Sequence, residues 1–426
     1  MKTVIMAGGK GTRISSLIND VPKPMIKING IPVLEREITC LKKNGLTDII
    51  ITVSHLSNII KDYFGSGKRF GVHIEYFNEE KPLGNAGALF FLQDKLKEDF
   101  LLLNSDSIFD INFKKFIEFH KKNGGLATLF THPNSHPYDS GLIFADGKGR
   151  IVKWLAKEEK RPVYYKNRVN AGLHILSSKI FNLIDLRQMI GKEEKVDLDR
   201  NILKPLISMG DIYCYDSPEY VKDMGTPERY EQVSKDVRNG LVYNKNLMNK
   251  QKAIFLDRDG VINHYNGYIT KIEDFELLPG ASEAVSLINN SGFLAICVTN
   301  QPIIARGEIT VNELNEIHNK METLLGNSGA YLDAIYYCPH HPDSGFEGEI
   351  KSLKIDCDCR KPKPGMLIKA AEDYNIDLKA SWMIGDGERD IEAGKVAGCH
   401  TILIGDGDFG QDFSAKSLLE AIRKIV

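Results

Sequence analysis

The sequence is poor in the features that mark membrane, secreted and nucleic-acid-binding proteins. It has no apolar run near the ~20 residues that span a bilayer, and the apolar run at its start is shorter than that of a secretory signal. Charge of neither sign is in excess, since 55 basic residues face 57 acidic ones. These absences exclude a membrane span, give no electrostatic case for a nucleic-acid partner, and predict a cytoplasmic protein.

Cysteine is also scarce, with seven residues in a chain of 426. An odd number in a long chain without secretory features argues against a disulfide framework. Three of the seven lie close together with a histidine, which suggests a metal site. The other four stand in apolar contexts and are predicted to be core residues: Cys40, Cys214, Cys297 and Cys399.

Strand-like runs alternate with helical patterns in both halves of the chain. Examples are "KTVIMAGG", "DIIITVS" and "FLLLNSD" in the first half, and "AIFLDRD", "LAICVTN" and "SWMIGD" in the second. Such alternation predicts parallel sheets covered by helices, so the fold class is α/β with two Rossmann-like three-layer domains. A polar stretch at 234–251 is interpreted as a linker between domains at 1–233 and 252–426.

A glycine-rich stretch after the first strand predicts a polyphosphate site. Gly8, Gly9 and Gly11 let the backbone approach a ligand closely, and Arg13 adds positive charge. The spacing fits neither the Walker A pattern nor the dinucleotide GxGxxG pattern. Two glycines alone would indicate a flexible turn, but Arg13 and the following "PKP" at 22–24 favour a ligand site.

Five stretches of the first half together resemble the sugar-1-phosphate nucleotidyltransferases. They are "GGKGTR" followed by "PKP", "PLGNAGAL" (82–89), "LLLNSD" (101–106), "VNAGLHIL" (169–176) and "KDMGTPERY" (222–230). The resemblance covers most of residues 1–230 and implies a nucleotidyltransferase fold. It also implies that a sugar phosphate oxygen attacks the α-phosphorus of a nucleoside triphosphate in line, and that pyrophosphate leaves.

The resemblance implies a role for each matching residue. Asp106 and Asp223 would hold Mg²⁺, Arg13 would meet the leaving phosphates, and Lys23 the α-phosphate or the sugar phosphate. Because Thr226 and Pro227 suit the start of a helix, we expect Thr226 to be the cap and Asp223 to be free for metal. Nucleotide or sugar contacts are implied for Gly8, Gly9, Gly11, Thr12, Gly84, Asn85, Lys157, Asn170 and Gly172.

Three positions depart from the pattern of that family. Asn85 replaces a frequent threonine, Ser105 replaces a glycine, and the acid of the F-x-E-K sugar motif is Ala156. These departures leave open a regulatory first half that binds a sugar nucleotide without catalysis.

The second half opens with two aspartates that suit phosphate-ester hydrolysis. Asp257 ends the strand of "FLDRDG", and Asp259 follows two residues later. One carboxylate can attack phosphorus, while the other, with a raised pKa, protonates the leaving hydroxyl and then activates water. Thr299 and Lys361 supply groups for the phosphoryl oxygens, and Asp386 supplies a further carboxylate for Mg²⁺.

This set resembles the haloacid dehalogenase-like phosphatases, and Asp257, Asp259 and Asp386 are the implied Mg²⁺ site. The interval between Asp257 and Thr299 is too short for a large inserted cap. The substrate-binding residues predicted in this half are Asn300, Arg306 and Arg360. Within the superfamily, "NHYNGYITKIEDFELLPG", the cysteine-containing loop and "CRKPKPG" look most like D,D-heptose 1,7-bisphosphate 7-phosphatases, with histidinol-phosphate phosphatases as relatives. "NQPIIARG" departs from their usual N-Q-S-G-I-A-R-G at Pro302 and Ile303.

The clustered cysteines predict a structural zinc site. Cys338, His340, Cys357 and Cys359 form C-x-H followed by C-x-C, which is a complete soft tetrahedral set without an open position for water. His341 is left as a spare. In contrast, "TVNELNEIHNKMETLL" predicts an amphipathic helix with a Thr310–Glu313 capping box, on which His318 would be a solvated residue.

The two resemblances fit one another. Removal of the 7-phosphate leaves heptose 1-phosphate, the kind of acceptor that the first half needs, so we predict a bifunctional enzyme that makes GDP-heptose for surface glycans. The guanine base rests on family resemblance alone. The alternative is a nucleotidyltransferase for another sugar 1-phosphate, such as mannose 1-phosphate, fused to a histidinol-phosphate-type phosphatase. The sequence leaves the anomer open and is compatible with a homo-oligomer.

Overall fold

The chain folds as two units that no single point of the sequence separates. The computed structural model describes residues 1–9, 21–81, 83–183, 195–265 and 267–426. The first unit comprises Met1–His132, Ile143–Trp154 and Asn170–Asn246. The second unit comprises Leu247–Val426 together with two segments from the first half of the chain, Pro133–Leu142 and Leu155–Val169.

A mixed sheet forms the centre of the first half. Its strand order is β10-β9-β11-β6-β1-β4-β5, and β8 pairs with β11 and β12. The pairs of β1 with β4 and β6 are parallel, whereas β11 runs antiparallel to β6. The strands of this half are β1 (Thr3–Met6), β2 (Lys27–Ile28), β3 (Ile31–Pro32), β4 (Asp48–Val53), β5 (His73–Asn78), β6 (Phe100–Asn104), β7 (Ser107–Phe109), β8 (Ala127–His132), β9 (Leu142–Ala145), β10 (Ile151–Leu155), β11 (Val169–Leu176), β12 (Ile212–Asp216) and β13 (Val221–Asp223).

Helices pack on both faces of this sheet because its strands alternate between two apolar clusters. Leu101 and Leu103 of β6 belong to one cluster, while Phe100 and Leu102 belong to the other. Buried side chains on both faces are typical of a sheet covered on each side. The helices are α1 (Val33–Lys43), α2 (Ser57–Phe64), α3 (Ala88–Leu92), α4 (Phe113–Asn123), α5 (Ile180–Leu183), α6 (Lys204–Leu206), α7 (Pro227–Arg238) and α8 (Leu241–Asn244).

The segment predicted as a linker, 234–251, begins inside helix α7. The Thr226 side chain accepts a hydrogen bond from the Arg229 amide and Pro227 occupies the first turn, so the predicted cap is confirmed. Helix α8 follows directly, and Asn246 donates to Asp110 at 2.8 Å. The first part of the segment is therefore helical and belongs to the first unit.

The second unit is built on a parallel sheet of order β16-β15-β14-β17-β18-β19. Between β14 and β15 the described residues form loops, a short 3₁₀ turn and helix α9, and they contain no inserted cap domain. The strands are β14 (Lys252–Leu256), β15 (Phe293–Asn300), β16 (Ala334–Cys338), β17 (Trp382–Gly385), β18 (His400–Ile404) and β19 (Phe413–Ala415), and the helices are α9 (Ala281–Ser291), α10 (Val311–Asn327), α11 (Gly365–Tyr374), α12 (Glu388–Ala397) and α13 (Leu418–Ile425).

The sheet of the second unit also has two buried faces. Ile254 and Leu256 of β14 lie in one apolar cluster, whereas Ala253 and Phe255 lie in the other. The alternation places helices on both sides and leaves the polar residues at the carboxyl end of the strand. Among the cysteines predicted to be core residues, Cys214 is half-buried, and the others are buried: Cys40, Cys297 and Cys399.

Helix α10 begins with the predicted capping box, because the Thr310 and Glu313 side chains cap each other's backbone amides. The face of α10 that carries Glu322 and Thr323 is covered by the segment Leu155–Val169. The Thr323 hydroxyl bonds to the backbone of Tyr165, and the Glu322 carboxylate accepts from the Asn167 amide and pairs with Arg168 at 3.2 Å. Both charged partners are almost completely buried, at 2% and 6% side-chain exposure.

Within the described ranges, the helices are too short or too polar to cross a bilayer.

Candidate active sites

A buried ion cluster stands at the carboxyl end of β14. Asp257 follows the strand directly, and its amide donates to Ile384 of the neighbouring strand. Lys361 Nζ lies 2.8 Å from Asp257 Oδ1 and 2.6 Å from Asp390 Oδ1. A third bond to the carbonyl of Val298, at 2.8 Å, fixes the ammonium group. The structure thus joins Asp257 and Lys361, both predicted, through a direct contact.

The second predicted carboxylate, Asp259, is held by hydrogen-bond donors. Asn263 donates to its Oδ1 at 3.0 Å, and Gln301 donates to its Oδ2 at 2.9 Å. The same Gln301 amide nitrogen lies 2.9 Å from the hydroxyl oxygen of Thr299. Gln301 therefore links two predicted site residues that come from different strand ends.

The loop that carries Lys361 is tied to β15. The Asn300 side chain donates to the Lys361 carbonyl and accepts from the Lys361 amide, both at 3.0 Å. Asn300 was predicted as a substrate contact, and in the structure its side-chain amide holds the lysine-bearing backbone in place.

A cation site of the hard-oxygen type is formed by three carboxylates. Asp257, Asp386 and Asp390 can each offer an oxygen, and these oxygens lie within 4.8 Å of one another. Gly260 makes room for them, since its φ is +83° and a Cβ there would lie 2.1 Å from Asp386 Oδ2. Oxygen donors in this number suit Mg²⁺. With Asp259, the site contains four carboxyl groups and two cations, Lys361 and Arg258.

Burial and mutual charge perturb this cluster in a consistent way. Burial raises the pKa of Asp257, while the ammonium group of Lys361 opposes the rise. Burial also acts to lower the pKa of Lys361, but Asp257 and Asp390 outweigh it and the net shift is upward. Burial, and next Asp390, raise the pKa of Asp386. The lysine is therefore kept cationic between two carboxyls.

The predicted zinc ligands converge on one point. Cys338 Sγ lies 3.5 Å from Cys357 Sγ and 3.3 Å from Cys359 Sγ, and the latter two sulfurs are 3.2 Å apart. His340 Nδ1 lies 3.3 Å from the sulfur of Cys359. A tetrahedral zinc–thiolate site has ligand-to-ligand edges of about 3.5–3.8 Å. The measured separations are up to about 0.3 Å shorter than the lower value, so a small expansion of the set would accommodate zinc, and the sulfurs are too far apart for disulfides.

Two further predicted residues, Arg306 and Arg360, contact the loop that carries this cluster. The guanidinium of Arg306 lies 4.8 Å from the ring centre of Tyr268 and 4.4 Å from that of Phe346. Arg360 donates to the carbonyl of His340 at 3.3 Å. His341, predicted as a spare, is outside the ligand set and accepts from the amide of Asp343. The loop therefore supplies one of the two rings that contact Arg306, and Arg360 follows directly after Cys359.

In the first unit, the predicted metal residues lie at neighbouring strand ends. Strands β7 and β13 pair with each other, and Asp223 lies opposite Ser107 in this pair. The amide of Met224 donates to the carbonyl of Asp106. Lys23 forms an ion pair with Asp106. Asp223 was expected to be free, but Arg229 donates to both of its oxygens at 2.8 and 3.0 Å. Burial acts to raise the pKa of Asp223, but Arg229 and further groups outweigh it and lower it.

The predicted nucleotide loops pack tightly on their neighbours. A Cβ on Gly8 would lie 2.7 Å from Glu79 Oε1, and a Cβ on Gly84 would lie 2.3 Å from the carbonyl oxygen of Val196. Gly84 also has a φ of +85°, which other residues rarely adopt. Asn85 Oδ1 accepts from the amide of Leu198 at 2.7 Å, so this oxygen is used within the protein.

The predicted sugar residues are held from one side. Asn170 Oδ1 accepts from the Gly172 amide at 3.2 Å and lies 3.1 Å from Nε2 of the buried His174. Lys157 belongs to the second unit, where it pairs with Asp139 at 2.7 Å. Gly9 lies just beyond β1, and the other three predicted residues of the glycine-rich loop lie outside the described residues: Gly11, Thr12 and Arg13.

Sequence reasoning missed several residues of the second site. Asp390 lies four positions after Asp386, on the first turn of α12, and this spacing is the signal that could have identified it. Gln301 stands next to Asn300 in the quoted motif, but nothing in the sequence indicates that it contacts Asp259. His318 was predicted to be solvated, and that prediction is wrong because the residue is only 6% exposed.

Comparison with known proteins assigns each half to a family. A family model described as nucleotidyl transferase matches residues 2–240, and one described as HAD-hydrolase-like matches residues 358–421. The D-glycero-beta-D-manno-heptose-1,7-bisphosphate 7-phosphatase of Pasteurella multocida is 44% identical over 158 residues, covering 37% of this chain and 83% of that protein. The D-glycero-alpha-D-manno-heptose-1,7-bisphosphate 7-phosphatase of Burkholderia mallei is 41% identical over 169 residues, covering 39% of this chain and 87% of that protein.

Among solved structures, HddC from Yersinia pseudotuberculosis aligns with a TM-score of 0.47 and 25% identity, covering 55% of this chain and 99% of that chain. The predicted combination of a nucleotidyltransferase domain with a haloacid dehalogenase-like domain is confirmed by the two family models. The chain thus belongs to the nucleotidyl transferase family through its first half and to the heptose-1,7-bisphosphate 7-phosphatases through its second.

Proposed function

We propose that this chain makes a nucleotide-activated heptose in two steps. It removes the 7-phosphate of D-glycero-D-manno-heptose 1,7-bisphosphate, and then transfers GMP from GTP to the resulting heptose 1-phosphate, giving GDP-heptose and pyrophosphate. One observation carries the proposal. A chain similar to 7-phosphatases, whose product would be a sugar 1-phosphate, is covalently joined to a nucleotidyl transferase, for which a sugar 1-phosphate is a fitting acceptor. The preference for GTP rests on family resemblance, and both substrates fit a cytoplasmic enzyme.

Asp257 is the proposed nucleophile of the phosphatase reaction. A carboxylate oxygen of Asp257 bonds to phosphorus, and the bond from phosphorus to the 7-oxygen of the sugar breaks. Asp259 gives its proton to that oxygen, so the sugar leaves as an alcohol. Lys361, held by Val298 and Asp390, and the hydroxyl of Thr299 balance the charge on the phosphoryl oxygens.

The second step regenerates the enzyme. Asp259, now a carboxylate, takes a proton from water, and the hydroxide oxygen bonds to the phosphorus of the aspartyl phosphate. The bond from phosphorus to Asp257 breaks, which releases inorganic phosphate and restores the carboxylate. Asp257, Asp386 and Asp390 would hold Mg²⁺, which when bound neutralises charge on the phosphate ester. Asp259, predicted as a further ligand, is proposed here to transfer the proton.

We propose that zinc in the site of Cys338, His340, Cys357 and Cys359 is structural. The ligand set is complete, so a bound ion would have no open position for water. The loop that it closes continues directly into Arg360 and Lys361. Metal binding would therefore supply folding free energy to the segment that positions the lysine. Arg306, fixed between two aromatic rings, and Arg360 are proposed to bind the phosphate that stays on the sugar.

The nucleotidyl transfer needs positioning more than covalent chemistry. An oxygen of the sugar 1-phosphate bonds to the α-phosphorus of the nucleoside triphosphate, and the bond to the β-phosphate breaks as pyrophosphate leaves. Asp106 and Asp223 are proposed to hold Mg²⁺, with Arg13 and Lys23 on the phosphates. In the structure Asp106 pairs with Lys23 and Asp223 with Arg229, so binding of Mg²⁺ would require both carboxylates to exchange a cationic partner for the metal ion.

A two-product assay tests the proposal. Each anomer of the heptose bisphosphate is incubated with each nucleoside triphosphate and Mg²⁺, and phosphate, pyrophosphate and the nucleotide sugar are measured separately. We expect phosphate release without any nucleotide, and pyrophosphate release only after phosphate has formed. Among the triphosphates, GTP should give the nucleotide sugar fastest. Both anomers are included because the similar phosphatases are named for different anomers.

Each negative outcome points to a different error. Phosphate release without pyrophosphate, with any triphosphate, would mean that the first half binds sugar nucleotides without catalysis. Pyrophosphate release from mannose 1-phosphate but not from heptose 1-phosphate would assign another sugar. Faster hydrolysis of histidinol phosphate than of either heptose bisphosphate would place the second half with the histidinol-phosphate type.

A further inference from the structure

Arg258, the residue between the two aspartates of the phosphatase half, is completely buried. Its side chain is 0% exposed, and its guanidinium grips Asp259 from the side. Nε and Nη2 donate to Asp259 Oδ1 at 3.1 and 2.9 Å, and Nη2 also donates to Oδ2 at 2.9 Å. This two-pronged contact sets the plane of the carboxyl group as well as its position.

The remaining prong of the guanidinium points to His318 on helix α10. Arg258 Nη1 donates to His318 Nε2 across 3.3 Å, and His318 is buried beside the ring of Tyr337. The imidazole accepts this bond, so its Nε2 carries no proton. Burial, and next the charge of Arg258, lower the pKa of His318 well below its usual range, in agreement with a neutral acceptor. The histidine thus satisfies a donor that burial would otherwise leave without a partner.

We propose that Arg258 and His318 are positioning residues, which together aim the Asp259 carboxyl at the leaving oxygen of the substrate. The proposal rests on the phosphatase function proposed above and deepens it. Asn263 and Gln301 also hold Asp259, but each gives one bond to one oxygen. Arg258 alone contacts both oxygens among the hydrogen bonds of the described residues, and His318 fixes the rotation of its guanidinium.

The chemistry makes this arrangement consequential. A general acid must deliver its proton along a short and well-directed bond, and small errors in placement slow the transfer. A free Asp259 side chain could rotate about two single bonds. With Arg258 anchored on His318 at one end, both rotations are restrained before the substrate arrives.

The test replaces His318 by leucine in the full chain and compares two substrates. For heptose 1,7-bisphosphate, whose leaving alcohol needs a proton, we expect kcat/KM to fall by about 10- to 100-fold, part of the 10²- to 10⁴-fold that acid–base catalysis gives. For p-nitrophenyl phosphate, whose leaving group departs without a proton, we expect a fall of less than about threefold. The parameter kcat/KM reports the step that expels the leaving group, so the later hydrolysis does not confuse the comparison.

Three further variants separate positioning from folding. Ile317→Ala truncates a buried neighbour of His318 on the same helix that has no hydrogen bond to Arg258. It should lower kcat/KM for both substrates by one common factor. His318→Gln keeps an oxygen acceptor for the guanidinium and should recover most of the loss. In an Arg258→Met background, His318→Leu should cost little more, because the two residues act through one chain of bonds.

The outcomes distinguish this inference from the function on which it rests. If the unaltered chain hydrolyses neither substrate, the phosphatase assignment fails. If it hydrolyses both, and His318→Leu slows the two by the same factor as Ile317→Ala does, the histidine is a packing residue and the inference is overturned. If the effects of Arg258→Met and His318→Leu on kcat/KM were additive, the inference would also be contradicted.

Discussion

At the end of β14 the predicted catalytic residues contact one another directly or through Gln301, whereas in the described part of the first unit some predicted residues contact residues outside the predicted set. Lys361 touches Asp257 directly, and Gln301 joins Asp259 to Thr299. In the first unit Lys23 does pair with Asp106, but Asp223 is bonded to Arg229 and Asn85 to the backbone of Leu198.

The difference follows from the two kinds of chemistry. A phosphatase that forms a covalent intermediate needs its nucleophile, acid and charge-balancing lysine within bonding distance of each other before substrate arrives. A nucleotidyltransferase joins two anionic substrates, so its residues surround the ligands and meet through them. Single substitutions should consequently lower catalytic activity more in the second unit than in the first.

The largest effect is expected from Asp257→Asn. The amide has the same shape but cannot attack phosphorus, so phosphate release should fall at least about a thousandfold. Pyrophosphate release from supplied heptose 1-phosphate is the internal control and should change less than about twofold. Parallel loss of both activities would show that the two sites are not separate.

Asp106→Asn is the matched change in the first unit. It removes one carboxylate from the proposed Mg²⁺ site and from Lys23, and should slow pyrophosphate release by about a hundredfold. Phosphate release should be unaltered. Normal transfer by this variant, at every Mg²⁺ concentration, would remove Asp106 from the proposed metal site.

Replacement of Cys357 and Cys359 by serine should have an intermediate effect. We expect about one equivalent of zinc to be lost per chain and phosphatase activity to fall about tenfold, because the lysine-bearing loop is loosened rather than removed. Metal analysis and both assays check this, and Cys399→Ser serves as the control for a thiol outside the cluster. Full phosphatase activity with zinc but without Mg²⁺ would show that the zinc is catalytic.

The smallest effect is expected at Asn85. Asn85→Ala removes the acceptor of the Leu198 amide. The loss of this hydrogen bond should destabilise the ligand-binding conformation of the loop by about 1 kcal/mol, which would raise the KM for nucleoside triphosphate about fivefold. Asn85→Thr, which restores the residue common in the resembling family, keeps an oxygen and should change KM less. An alanine variant with unchanged KM would show that this loop does not shape the nucleotide site.

Residues that follow strands were predictable from the sequence, whereas residues that reach the site from helices were not. Asp257 and Thr299 stand at the ends of parallel strands, which meet at one edge of the sheet, and Lys361 stands in the motif "CRKPKPG". His318 flanks an apolar stripe and therefore looked solvated, but α10 is covered on more than one face. Its contact with Arg258 depends on how the helix packs, which local periodicity does not contain.

The cluster of three cysteines and a histidine and the domain order were likewise predictable, because ligand spacing and strand patterns are local. The segment Leu155–Val169 was not, since nothing in its composition indicates that it folds with the second half. Its polar residues Asn167 and Arg168 are buried by partners more than 150 positions away in the chain. Such long-range pairing is fixed by tertiary structure alone.

The burial of Glu322 against Arg168 bears on any attempt to separate the two activities. A fragment that begins at Leu247 would contain the whole phosphatase sequence but would lack Pro133–Leu142 and Leu155–Val169, which belong to the same folded unit. In such a fragment Glu322 on α10 would be exposed to water and would lack its ion-pair partner Arg168. Gene dissection at the apparent junction should therefore give a poorly behaved fragment, and the two activities are best studied by point substitution in the intact chain.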